Sequence, residues 1–126
     1  MNYKNILLID DDGDDHEIFM AALAKVSLAV NCVGYTDASK ALRELEQRQI
    51  AADVIFLDLN MPIMNGQQFL YEIKKRVNLR DIPVVIFSTS SHPGTIQLTK
   101  DMGAMDFITK PDKFDDLIDI LRSFLK

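Results

Sequence analysis

At 126 residues, 48% of them hydrophobic and 26% charged, the chain has the composition of one globular domain with a single core. A formal net charge of −5 argues against a surface that binds nucleic-acid phosphates, because such contacts need clustered Lys and Arg. No apolar run approaches the ~20 residues of a membrane span, no signal peptide is visible, and the single Cys32 has no internal disulfide partner, so a cytoplasmic location and no membrane contact are expected.

Taken in order, Ile6–Ile9 is a continuous apolar run that predicts a buried strand, and it ends on Asp10, Asp11 and Asp12. A helix follows, with Ile18, Phe19, Ala22, Leu23 and Val26 at helical spacing and Asp12, Asp14 and Asp15 as its cap and acidic first turn. Residues 30–35 predict a second strand, with Cys32 as a buried structural thiol. Thr36 or Asp37 then caps a helix that buries Ala38, Ala41, Leu42 and Leu45.

Val54–Leu57 predicts a strand buried on both faces. It runs into Asp58 and a loop punctuated by Pro62 and Gly66. The next helix carries the stripe Phe69, Leu70, Ile73 and Val77. A fourth strand, Val84–Phe87, ends on Ser88, and Pro93 opens a helix running to about Met102, with Gly103 beyond its end. Residues 105–109 predict a fifth strand ending on Lys110. The last helix buries Phe114, Leu117, Ile118, Leu121 and Leu125, which leaves Ile120 near the surface. His16 and His92 lack metal-ligand neighbours and are expected to be solvated. The methionines are expected to fill the core.

Strands alternating with helices give an α/β domain: one doubly wound, five-stranded parallel sheet of flavodoxin-like (βα)5 type spanning residues 1–126, with no separate output domain expected. In such sheets ligands bind outside the carboxyl ends of the strands. Asp10 with Asp11, Asp58, Ser88 and Lys110 all fall on that edge. Carboxylates gathered there repel one another, and a hard divalent ion such as Mg2+ answers that repulsion with oxygen coordination. Lys110 would pair with phosphoryl oxygens, the Ser88 hydroxyl would donate a hydrogen bond, and Asp58 would be the nucleophile that takes a phosphoryl group.

The ordered set Ile6-Leu-Leu-Ile-Asp10-Asp11, Asp58-Leu-Asn-Met-Pro62-Ile-Met-Asn-Gly66, Pro83-Val-Val-Ile-Phe-Ser88 and Gly103-Ala…Phe107-Ile-Thr-Lys110-Pro111 resembles the receiver domain of two-component response regulators. The resemblance covers essentially the whole chain. It implies that Asp58 is phosphorylated by a phosphohistidine of a sensor histidine kinase or histidine phosphotransfer protein. It also implies Mg2+ on Asp11, Asp58, the backbone carbonyl of Asn60 and, partly through water, Asp10. Ser88 and Phe107 would be a switch pair, with Phe107 standing where the family often has Tyr. By the same resemblance the protein is not an enzyme beyond its own phosphotransfer and dephosphorylation. An unknown downstream protein is the expected partner, and Ile120, apolar and off the buried stripe, suggests a phosphorylation-dependent partner or homodimer contact through the fourth helix, fifth strand and last helix. Asp58-Leu-Asn-Met-Pro, Ile82-Pro-Val-Val and Ile108-Thr-Lys-Pro, with Asp15 after the acidic cluster, also resemble a subgroup of stand-alone receivers, some of which partner with phytochrome-type sensor kinases.

A competing reading takes Asp10-Asp11-Asp12-Gly13 as the DxDG start of a haloacid dehalogenase-type phosphatase, with Asp10 as nucleophile and Asp12 as acid/base. It leaves Asp58 and its loop without a role. A Ca2+ loop of EF-hand type starting at Asp10 would need Gly at Asp15 and Glu at Ala21. A receiver-like module that no longer takes phosphate would have no use for the full set of acidic, hydroxyl and Lys positions.

Overall fold

A computed structural model describes residues 3–126 of the chain. The elements run β1 (Asn5–Ile9), α1 (Gly13–Val26), β2 (Asn31–Tyr35), α2 (Ala38–Glu46), β3 (Val54–Leu57), α3 (Gly66–Lys74), β4 (Val84–Ser88), α4 (Pro93–Asp101), β5 (Asp106–Thr109) and α5 (Phe114–Phe124). The strands form one parallel sheet in the order β2-β1-β3-β4-β5. This is the doubly wound, five-stranded arrangement expected from the sequence.

The apolar runs of β1, β3 and β4 are continuous because both faces of these strands are covered. Leu7, Ile9, Ile55, Leu57, Val84 and Ile86 point to a core closed by α2 and α3 through Ala41, Leu45, Phe69 and Ile73. Their alternates Ile6, Leu8, Phe56 and Val85 point the other way, to Phe19 and Leu23 of α1 and Leu117 and Leu121 of α5. There Phe56 meets Phe19, Phe87 and Phe124 edge-on, with ring centroids 5.1, 6.1 and 5.1 Å away. Such pairs contribute about 1 kcal/mol each beyond area burial.

Several expected core positions lie outside it. α3 stops at Lys74, so Val77 falls in the following turn and is 76% exposed. The Lys74 ammonium donates to the Arg80 and Ile82 carbonyls, closing that turn, and Leu79 takes the buried place instead. Ile18 and Phe114 are exposed, and together with Lys110 they line a cavity of about 220 Å³. Ile118, Leu125 and Ile120 are half-buried. Cys32 is half-buried on the edge strand β2, and burial pushes its thiol up to about 12, so it is unreactive. Met61 is buried and Met64 packs against the core.

The turn from β3 into α3 depends on one glycine. A Cβ on Gly66 would drive into the Asp58 carbonyl oxygen and come within 2.7 Å of the Leu59 Cα, both backbone atoms with no room to yield. Asn65 then caps α3 reciprocally with Gln68, each side chain accepting the other's backbone N–H at 2.9 Å. Gly66→Ala is expected to lower unfolding free energy by about 2 kcal/mol. Gly94→Ala, whose Cβ would meet only the movable His92 ring at 3.3 Å, should cost far less. Urea titration of both variants checks this; equal losses would contradict the Gly66 contact.

Candidate functional site

β1 and β3 are neighbours, but the helices that follow them cover opposite faces, α1 with one core layer and α3 with the other. The crevice at their carboxyl ends is therefore open, which is where an α/β sheet binds its ligand. The functional residues are the first ones beyond the strands and are still held by the sheet's ladder. The Asp58 N–H donates to the Ile9 carbonyl at 2.9 Å, the Asp10 N–H to Tyr35 at 3.0 Å and the Lys110 N–H to Ser88 at 2.9 Å. Their backbones are thus as fixed as the sheet itself.

The side chains converge. One carboxylate oxygen from each of Asp10, Asp11 and Asp58 lies within 4.8 Å of the others, with Asp10 and Asp58 buried and Asp11 exposed. Three hard oxygen donors at that spacing suit a hard divalent cation and offer nothing to a thiophilic metal. Lys110 reaches in from β5: its Nζ is 2.7 Å from Asp10 Oδ2, 2.8 Å from Asp15 Oδ2 and 3.8 Å from Asp58 Oδ2. Burial raises the Asp58 pKa above its ordinary 3.8, and the nearby Asp10 adds to this. The Lys110 charge and the backbone N–H groups of Asn60 and Leu59 pull the other way without cancelling it. Burial works against the Lys110 charge, but hydrogen bonds to Asp10 and Asp15 and the fields of Asp10 and Asp58 outweigh it and raise its pKa.

Ser88 ends β4 fully buried, and its Oγ accepts the Ser90 N–H at a long 3.4 Å. Phe107 is half-buried on β5 in register with Ile86. Asn60 is exposed in the loop after Asp58. In the same loop Ile63 is 95% exposed with φ 67°, a left-handed conformation that a β-branched side chain adopts only under strain.

Two residues hold places that the sequence pattern did not assign. Asp15 was readable as helix-capping acidity, yet it is a direct partner of Lys110; its spacing, one helical turn past the Asp12 cap, was the available signal. His16, expected to be solvated, is half-buried, with Nε2 2.6 Å from the Asp10 carbonyl oxygen. Its ring lies so close over Gly34 that a Cβ there would collide with it. His92 is exposed as expected, but its Nδ1 accepts the Gly94 N–H at 3.1 Å and caps α4.

The phosphatase reading fails on this geometry. Asp12 is exposed, and its carboxylate is engaged in accepting the Asp14 N–H at 2.9 Å as the cap of α1. The residues described after Lys110 form the helix α5 and not a strand bringing acids to this edge.

The sequence pattern described as the response regulator receiver domain matches residues 6–122. The chain belongs to that family. Over 122 residues this receiver is 34% identical to the two-component response regulator ORR8 of Oryza sativa subsp. indica, covering 97% of this chain and 98% of the relative. Among solved structures, it resembles the phosphorylated cyanobacterial phytochrome response regulator RcpA, with a TM-score of 0.88, 31% identity and coverage of 97% and 91%. It also resembles the Mn2+-bound form of response regulator Rcp1, with a TM-score of 0.86, 26% identity and coverage of 96% and 91%. None of its described helices is long and apolar enough to cross a membrane.

The raised Asp58 pKa has a consequence for the receiver's stability. In metal-free solution the native state binds more protons than the unfolded chain between pH 3.8 and the folded pKa, so wild-type stability falls as pH rises through that window. Asp58→Asn removes this cost. The variant should be more stable than wild type at neutral pH, with the advantage shrinking as pH falls toward 3.8. Urea unfolding across pH in the presence of a chelator checks it; an advantage that does not shrink would contradict the burial of a charged Asp58.

Proposed function

We propose that Asp58 accepts a phosphoryl group from a phosphohistidine on a sensor histidine kinase or histidine phosphotransfer protein. The carrying observation is a buried carboxylate fixed at the switch point of the sheet, with two further carboxylates within 4.8 Å and an ammonium 3.8 Å away. An Asp58 carboxylate oxygen attacks phosphorus, the P–N bond to the donor imidazole breaks, and the electron pair leaves with that imidazole. The product is an acyl phosphate on Asp58, which water later hydrolyses. The protein supplies positioning and charge, with little covalent work of its own.

Asp10, Asp11, Asp58 and the backbone carbonyl of Asn60 would hold Mg2+, which when bound neutralises the gathered negative charge. Lys110 would pair with a phosphoryl oxygen, and the Ser88 hydroxyl would donate to another. The existing 3.4 Å contact of Ser88 to Ser90 is long, so exchanging it costs little. Phe107 would follow Ser88 inward, and the output surface would be α4, β5 and α5. α4 suits that role because Thr99 is its one buried side chain, leaving the helix lightly held.

Beyond this self-directed chemistry the protein is read as a signalling module of the cytoplasm, without nucleic-acid or membrane partners. It would act on a downstream protein or as a homodimer through α4, β5 and α5. A phytochrome-type kinase is the favoured donor, a reading supported by the similarity to RcpA, a phytochrome response regulator.

Intact-mass spectrometry after incubation with a small acyl-phosphate donor and Mg2+ tests the acceptor. Wild type should gain one phosphoryl group, Asp58→Asn none, and Asp10→Asn less without a change of site. A phosphopeptide mapping to Asp10 would overturn the assignment. The output face is tested by analytical ultracentrifugation with beryllofluoride, a phosphoryl mimic. Wild type should associate more strongly with the mimic present. Ile120→Lys, at a groove lined by Asp106, Ile108 and Phe124, should abolish that response; an unchanged response in the variant would place the contact elsewhere.

A further inference from the structure

Lys110 has three N–H donors, and the structure shows how they are used. Two serve Asp10 and Asp15 at 2.7 and 2.8 Å, and the remaining approach to Asp58, at 3.8 Å, is too long for a hydrogen bond. The two engaged carboxylates are not equivalent. The Asp10 side chain is 1% exposed and also accepts the Asp12 N–H at 3.0 Å, so it is fixed to the crevice floor. The Asp15 side chain is 34% exposed on the first turn of α1, where water can replace the ammonium. If the Lys110 ammonium advances toward a group on Asp58, the contact that can open at least cost is the one to Asp15.

We propose that Asp15 is a positioning residue that acts through Lys110. Its carboxylate holds the ammonium back from Asp58, and a phosphoryl group on Asp58 must take that ammonium from it. In the resting protein this leaves the Asp58 oxygen facing Lys110 free of a hydrogen bond that would blunt its attack. After transfer, the same contact competes with the acyl phosphate for its cation, so Asp15 sets how tightly the phosphorylated state is held. The idea rests on Asp58 as acceptor and adds a residue to that site.

Beryllofluoride affinity in saturating Mg2+, followed by 19F NMR, reads the competition directly. Asp15→Asn keeps the size of the side chain and removes its charge; it should bind the mimic about fivefold more tightly than wild type, the range of a partly exposed ion pair. Asp15→Glu, which restores a carboxylate, should return affinity to within about twofold of wild type on the same grounds. A role confined to bracing α1 would lower the unfolding midpoint of Asp15→Asn and leave mimic affinity unchanged, and that result overturns the proposal. A crystal structure of the wild-type mimic complex gives the second arm. Lys110 Nζ should stand beyond hydrogen-bond distance of Asp15 and within it of a fluoride. Retention of the Asp15 contact alongside the fluoride would mean that no exchange occurs and would overturn the proposal even if Asp15→Asn binds more tightly. Failure of wild type to bind the mimic at all would instead remove the acceptor reading on which the proposal stands.

Discussion

Repulsion among Asp10, Asp11 and Asp58 is the constraint on which the rest of this structure turns. One oxygen from each lies within 4.8 Å of the others, and two of the three side chains are buried. Lys110 is the ammonium set among them, and it is shared with a fourth carboxylate, Asp15. An arrangement with more negative charge than it can pair is costly by itself. On the proposed function a divalent cation offsets that excess, and the unbalanced charge is what would select it.

The fold keeps the carboxylates from relaxing apart. Asp10, Asp58 and Lys110 are tied by backbone hydrogen bonds to the residues across the sheet, and β1 and β3, buried on both faces, leave the Asp10 and Asp58 backbones nowhere to move. Gly66 lets α3 begin directly against the Asp58 carbonyl, and the Asn65–Gln68 capping pair closes the loop between them. Rigidity is not uniform. α2 buries four side chains and α3 three, whereas Thr99 alone is buried in α4. A charge change at Asp58 can therefore be expressed in α4 and β5 at much lower cost than in the layers around α1, α2 and α3.

The central strands were legible because continuous apolar runs such as Val54–Leu57 can be buried only when both sheet faces are covered, and Asp10 and Asp58 follow such runs directly. The helix stripes were legible on the side facing the sheet and less so at the ends. Val77 keeps the helical period but falls beyond the end of α3, because Lys74 turns its ammonium onto the Arg80 and Ile82 carbonyls. Ile18 and Phe114 keep the period too, yet line an open cavity beside Lys110 and stay exposed. The roles of Asp15 and His16 were hidden for a different reason. Each depends on a contact with a partner distant in sequence or a backbone atom, Lys110 Nζ for one and the Asp10 carbonyl for the other, and one-dimensional spacing reports neither.

Thermal unfolding with and without millimolar Mg2+ tests whether the acidic edge is a cation site. Wild type should be stabilised, because a cation bound to the folded state alone shifts the equilibrium toward it. Asp11→Ala, which removes the exposed oxygen donor without disturbing the sheet ladder, should lose most of that stabilisation. An unfolding temperature in wild type that does not respond to Mg2+ would contradict the account.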